Sequence, residues 1–133
     1  MNPRNPYLAV DCIIRLDGGH HLVLIQRKNP PLGLALPGGF VNYGESLEDA
    51  VRREMLEETG LRLDLLRQFK AFSDPKRDPR QHVVSVVFVA YSEDKPVAGD
   101  DTAEIVLIET FRYQEYQYAF DHRQILEEFF GDN

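Results

Sequence analysis

Three carboxylates close together in the chain have the right chemistry to hold a divalent cation: Glu54, Glu57 and Glu58, in the run Arg53-Glu54-Met55-Leu56-Glu57-Glu58-Thr59-Gly60. The run reads as the second half of a helix. Ser46 suits the N-cap, with Asp49 three residues later as in a capping box, and Gly60 suits the left-handed residue that closes a helix. At ~100° per residue, Leu47, Ala50, Val51 and Met55 form one stripe, and the three glutamates project into it. Glu48, Arg52 and Thr59 point elsewhere. The helix macrodipole disfavours each carboxylate near the C-terminal end by about 0.3–1 kcal/mol, and Glu54 and Glu58 are like charges one turn apart. A purely solvated acidic face would leave Leu47, Val51 and Met55 without a core. A cation among the carboxylates removes the conflict. Oxygen donors without His or Cys favour Mg²⁺, with Mn²⁺ as the alternative, over zinc.

The elements around this helix must position the carboxylates. Gly38-Gly39 in front of it allows close backbone approach and unusual torsions, Gly44 permits a further turn, and the Gly38 carbonyl is a candidate fourth oxygen. Upstream, Tyr7 to Leu16 is rich in Val, Ile and Leu and predicts a strand. The turn signal Asp17-Gly18-Gly19 and a partner strand, His21 to Arg27, complete a hairpin. His20 and His21 read as turn and strand-edge residues. Arg27 closes the second strand within reach of a phosphate, or as an exposed strand end. Downstream, Arg62 to Phe72 alternates as a strand, and Ser73 to Arg80 is a stiff loop with two Asp-Pro steps. Val83 to Tyr91 reads as a buried strand. A turn at Gly99-Asp100-Asp101 leads to a strand from Glu104 to Ile108, and Phe111 to Phe120 is aromatic without a clear assignment. Asp121 is a candidate cap for a last helix, in which Ile125 pairs with Phe129 and Leu126 with Phe130. Strands on both sides of a central helix, with a second helix at the end, predict an α/β fold with a mixed sheet between helical layers.

Gly39, five residues, Glu45, seven residues and then Arg53-Glu54-Met55-Leu56-Glu57-Glu58-Thr59-Gly60-Leu61 resembles the Nudix box, with Met55 where the family usually has Leu, Ile or Val. The family hydrolyses nucleoside diphosphates linked to another group. The resemblance implies an α/β/α sandwich over residues 1–133 as one domain, with Glu54, Glu57 and Glu58 on the metal, beside which the Gly38 carbonyl remains the candidate further oxygen. It implies that Glu45 and Arg53 brace loop and helix, Arg53 thereby serving catalysis. The general base would be Glu57 or Glu104. The segment Phe72 to Arg80, followed by His82-Val83-Val84-Ser85, is similar to small ADP-ribose pyrophosphatases of bacteria and archaea. So are Ala35-Leu36-Pro37-Gly38-Gly39-Phe40-Val41 and Ala119-Phe120-Asp121-His122. Gln81 and Leu34 depart from that pattern, which usually has Gly and Trp there.

On this resemblance the substrate is a small nucleoside diphosphate, ADP-ribose first. Other diphosphates such as a dinucleoside polyphosphate, a modified triphosphate or NADH are the alternative. A non-catalytic ADP-ribose sensor is a third reading, disfavoured by the intact glutamates and by the short stretch after the box. Arg77 and Arg80 on the stiff loop suit a pyrophosphate, because guanidinium forks match phosphate oxygens, or else they are solvated turn charges. Tyr7, Phe40 and Phe72 are candidates for the adenine face.

The net charge of −7 disfavours nucleic acid as a partner. No apolar run reaches the length of a membrane span, Met1 to Pro6 has no leader character, and Cys12 sits in an apolar run as a buried hydrophobe. These features predict a cytoplasmic protein. Related pyrophosphatases are often homodimers, and Tyr113, Tyr116 and Tyr118 either serve such an interface or cover the chain's own core.

Overall fold

The Val- and Ile-rich run near the start forms β1, Tyr7–Leu16, and the rest of the sheet is built on it. In the computed structural model, residues 4–99 and 104–131 are described. β1 turns through a single 3-10 turn into β2, His21–Gln26, with Leu16 opposite His21. It also runs parallel to β6, Val83–Ser92, from Tyr7↔Val83 to Leu16↔Ser92. Two short strands, β3 (Leu34–Ala35) and β4 (Gly38–Phe40), pair with β2 and β1 respectively. β5 (Arg67–Phe72) lies antiparallel on β6, and β7 (Glu104–Glu109) on β2. The sheet is therefore mixed.

Alternation along β1 sorts the core into two layers. Val10, Cys12, Ile14 and Leu16 pack with Ala50, Val51 and Met55 of α1, Leu47–Thr59. Ile13 joins Ile125 and Leu126 of α2, His122–Phe130, on the opposite side. Asp11 shares the odd-numbered side and so faces the second layer. The expected sandwich is present. Cys12 is fully buried and its thiol is pushed up by burial, as its setting in the sequence implied.

Several local expectations change. The strand expected from Arg62 begins only at Arg67, because Leu61 and Leu63 drop into the core beneath α1 without a strand partner. Thr59 is not an outward polar residue: it is fully buried, its hydroxyl donating to the Met55 carbonyl at 2.6 Å. The aromatic stretch contains a 3-10 helix over Thr110–Glu115. Tyr113 is buried, and the Tyr118 hydroxyl donates to its carbonyl at 2.7 Å, so these rings cover the chain's own core. Asp100 and Asp101 of the expected turn lie outside the described residues. Among the described residues no helix is long and apolar enough to cross a membrane.

Candidate active site

Helix α1 is capped as its sequence required. The Ser46 hydroxyl accepts from the Asp49 N–H at 3.1 Å, and Gly60 closes the helix at φ 71°. On its outer face Arg53 is the hub. Its guanidinium reaches Glu45 through two bonds of 2.7 and 3.0 Å, Glu54 at 3.0 Å, Glu57 at 3.3 Å and the Phe40 carbonyl at 3.0 Å. One arginine thus ties β4, the loop after it and the helix together, which is the bracing role expected of Arg53 and Glu45. The Arg53 hydrogen bonds hold the Glu45 carboxyl down to about 2.

The glycine pair in front of the helix is there for closeness, not for torsion. Neither Gly38 nor Gly39 has a positive φ; Gly44 does, at 84°. A Cβ on Gly39 would fall 2.2 Å from the Glu54 carboxylate, and one on Gly38 would fall 2.1 Å from Asp11 Oδ1 and 2.3 Å from the Val10 carbonyl. The Gly38 N–H donates to Glu58 Oε1 at 2.8 Å. Crowding of this kind raises the acids: burial pushes Glu58 up to about 7 against the Gly38 hydrogen bond, and burial raises Glu54 as well. From these contacts Gly39→Ala is expected to leave the fold intact, since the flexible Glu54 side chain can swing aside. Moving that carboxylate should lower turnover about 10- to 100-fold. A melting curve beside a rate measurement checks this, and unchanged turnover would show that the Glu54 position is not critical.

Glu57 departs from the helical-wheel expectation. Its side chain is 59% exposed and held by Arg53, whereas the Glu54 side chain is 16% exposed. Among the described residues no three acidic, His or Cys side chains are gathered closely enough to hold a metal. The donor set still suits a hard cation: Glu54 packs where a side chain on Gly39 would stand, Glu58 accepts from the Gly38 N–H, and positive charge beside these desolvated carboxylates would offset the repulsion between them.

Beside this acidic end opens a cavity of about 250 Å³. Glu58 and Gly38 form one wall, Arg27, Asp78 and Arg80 another, and Asp11 and His122 also line it. Arg27 and Arg80 both lie over the Phe120 ring, at 4.8 and 5.3 Å from its centre. Arg80 is neutralised by Asp78, to which it donates at 3.0 and 2.9 Å. Arg27 gives its Nε–H to the Pro31 carbonyl at 2.7 Å and has no carboxylate bonded to it among the described residues. Its remaining donors are available to an anion.

The other expected site residues fall differently. Arg77 lines the cavity but is buried, with Nε and Nη2 donating to the two Asp121 oxygens at 2.9 and 2.8 Å. It is a structural cation rather than a surface phosphate grip. For the same reason Asp121 precedes α2 without capping it, because its carboxylate is occupied by Arg77. Phe72 is 7% exposed within the core, which removes it as an adenine platform. Tyr7 and Phe40 are exposed and pack against each other at an interplanar angle of 58°, ring centres 5.8 Å apart, with Phe40 on the cavity wall. Glu104 lies opposite Gln26 at the start of β7, exposed and outside the cavity lining.

The residues not foreseen are Asp11, Phe120 and His122. Asp11 accepts a short hydrogen bond from the Ser85 hydroxyl (2.5 Å), and burial pushes its carboxyl up to about 6. His122 is 3% exposed, and its Nδ1 accepts the Leu36 N–H at 2.9 Å. Burial lowers it to about 3, so the ring is neutral. Phe120 takes φ 56°, a costly backbone for a bulky residue. One signal was available for Asp11, a lone acid in the middle of an apolar strand. The run Ala119-Phe120-Asp121-His122 stood out only through its resemblance to known pyrophosphatases.

The chain is similar to known proteins over most of its length. A family model for the NUDIX domain matches residues 6–129. The chain is 41% identical over 128 residues to an ADP-ribose pyrophosphatase of Methanocaldococcus jannaschii, covering 94% of this chain and 73% of that protein. It is 33% identical over 137 residues to the ADPR responsive transcriptional repressor NtrR of Acinetobacter baylyi, covering 96% of this chain but 54% of that protein. The chain thus spans about half the length of that relative. The NUDIX domain of Shewanella oneidensis NrtR, solved in complex with ADP ribose, superposes with a TM-score of 0.84 at 26% identity, over 94% of this chain and 86% of that one.

Proposed function

The chain belongs to the Nudix family, and from that premise we propose that it is a Mg²⁺-dependent hydrolase that cleaves ADP-ribose to AMP and ribose 5-phosphate. The observation that carries the reading is one cavity whose acidic end, Glu58 and Gly38, meets the Arg27–Phe120–Arg80 cluster. Carboxylates alone would repel a diphosphate. A guanidinium with no carboxylate bonded to it among the described residues gives the phosphates a partner and leaves the acids to a metal.

Nudix hydrolases use divalent metals. In this chain Glu54, Glu57, Glu58 and the Gly38 carbonyl are the residues proposed to hold the ion. When bound it would offset the charge of the diphosphate and make a nearby water more acidic. The protein's own residues supply the rest. Arg53 fixes Glu54 and Glu57 relative to the Gly38-Gly39 backbone through Phe40 and Glu45. Arg27 donates to the phosphate oxygens and aligns the diphosphate for in-line attack by water on one phosphorus. Glu57, exposed to solvent on the helix, takes the proton of that water. Glu104 lies opposite Gln26 on β7, on a different element from the carboxylates proposed to hold the ion, and is not given this role. The exposed rings of Tyr7 and Phe40 at the rim offer the adenine its stacking face.

The likeness to the NrtR domain favours a second reading, in which the domain binds ADP-ribose without cleaving it. One assay separates the two. ADP-ribose incubated with the protein and Mg²⁺ is expected to yield AMP, and no AMP without the metal. Folded, metal-supplied protein that binds ADP-ribose yet releases no AMP would instead be a sensor. Protein that cleaves another diphosphate in preference would keep only the family-level activity.

A further inference from the structure

Asp11 and His122 belong to no part of the mechanism above, yet both are buried and both line the cavity. Their hydrogen-bonding capacities are set by their neighbours. The Leu36 N–H donates to His122 Nδ1, so the proton of the ring lies on Nε2. Among the described residues Nε2 makes no hydrogen bond. Its nearest acidic oxygen is Asp11 Oδ2 at 3.9 Å, too far for a direct bond. Oδ2 already accepts from Ser85, and it retains a further lone pair. A buried donor and a buried acceptor thus stand apart by a gap that one oxygen atom would bridge. A group that both accepts and donates, a hydroxyl, satisfies the pair.

The position of the pair says which hydroxyl. Asp11 lies directly against Gly38, whose N–H is bonded to Glu58. One residue therefore separates the pair from Glu58, one of the carboxylates assigned to the metal. The moiety that reaches this floor is joined directly to the diphosphate. The aromatic faces for a base are at the exposed rim, at Tyr7 and Phe40. We propose that Asp11 and His122 form the subsite that receives a hydroxyl of the sugar on the far side of the diphosphate from the nucleoside. The proposal rests on the ADP-ribose reading and deepens it: the pair distinguishes a diphosphate that carries a second sugar from one that ends in phosphate. A phosphate end has no hydroxyl hydrogen to give Asp11 in its ionised form, and it would place a second anion beside that acid.

The test uses His122→Asn and Asp11→Asn. Asparagine at 122 keeps a short acceptor for the Leu36 N–H and removes the inward Nε2–H. Asparagine at 11 keeps the shape and removes the carboxylate. Calorimetric titration in EDTA compares ADP-ribose, ADP-glucose and ADP on the full chain, with melting curves of each variant as the control for folding. Wild type is expected to prefer ADP-ribose to ADP. Each variant should lose about three- to tenfold in affinity for ADP-ribose, with ADP affinity held within twofold. Equal losses for ADP-ribose and ADP, no loss in either variant, or a wild type that does not distinguish the two ligands would overturn the subsite. If wild type prefers ADP-glucose to ADP-ribose and the variants erase that preference, the subsite stands and the ADP-ribose reading falls.

Discussion

Replacing Glu58 or Glu54 by glutamine is expected to lower turnover by about 10²–10³-fold while leaving the metal-free protein as stable as wild type or more so. The loss follows from the role assigned to these carboxylates. A bound divalent ion supplies several kcal/mol of charge stabilisation, and each 1.36 kcal/mol corresponds to about tenfold in rate. The gain follows from burial. Glu58 is pushed up to about 7 mainly by loss of solvent, with Glu54, Asp11 and Glu57 adding repulsion. Glutamine retains the oxygen that accepts the Gly38 N–H at 2.8 Å and discards the charge. Melting in EDTA and in millimolar MgCl₂ separates the two effects. Wild type should be stabilised by Mg²⁺ through mass action, and the glutamine variants much less. Turnover preserved in both variants would remove the metal assignment. A fall in melting temperature in EDTA would show that the carboxylates hold the fold together rather than strain it.

What could be read from the sequence here was local. Helix α1 was legible because its signals are contained in it: Ser46 caps Asp49 three residues on, and Gly60 takes its left-handed torsion without outside help. β1 and β6 were legible because their apolar content has no other use. Gly38-Gly39 was visible as a feature but its cause was not. Torsional freedom is a property of the residue, whereas the approach of the Glu54 and Asp11 carboxylates is a property of the packed molecule. β4 is three residues long, too short for any periodicity to show. His122 was out of reach for the same reason, since its partner Leu36 is 86 residues away. Arg77 shows the limit most clearly. Two arginines on one Pro-rich loop looked equivalent, and only the arrival of Asp121, 44 residues further on, made one a buried structural cation and left the other at the cavity.

That difference gives the second large effect: Arg77→Met should destabilise the protein by about 3–5 kcal/mol, the range for removing one partner of a buried ion pair. The Arg77 side chain is 4% exposed and that of Asp121 15%, and two hydrogen bonds of 2.8 and 2.9 Å join them. Nη1 also approaches the Val83 carbonyl at 3.4 Å. Methionine fills much of the space but leaves the Asp121 carboxylate desolvated without a counter-charge, and Asp11 loses a cation that lowers its pKa. Because Asp121 is flanked by Phe120 and His122, the disturbance should also reach the Arg27–Phe120–Arg80 cluster and the Leu36 backbone. Arg77→Lys, which keeps the charge but cannot make the paired contact, should recover part of the stability. The alternative, in which Arg77 grips the pyrophosphate from an exposed loop, makes the opposite forecast: stability within about 0.5 kcal/mol of wild type, as for ordinary surface substitutions, and a raised KM. Urea unfolding of the three proteins beside their KM values decides between them, and an Arg77→Met protein that unfolds with wild type would sink the buried-pair assignment.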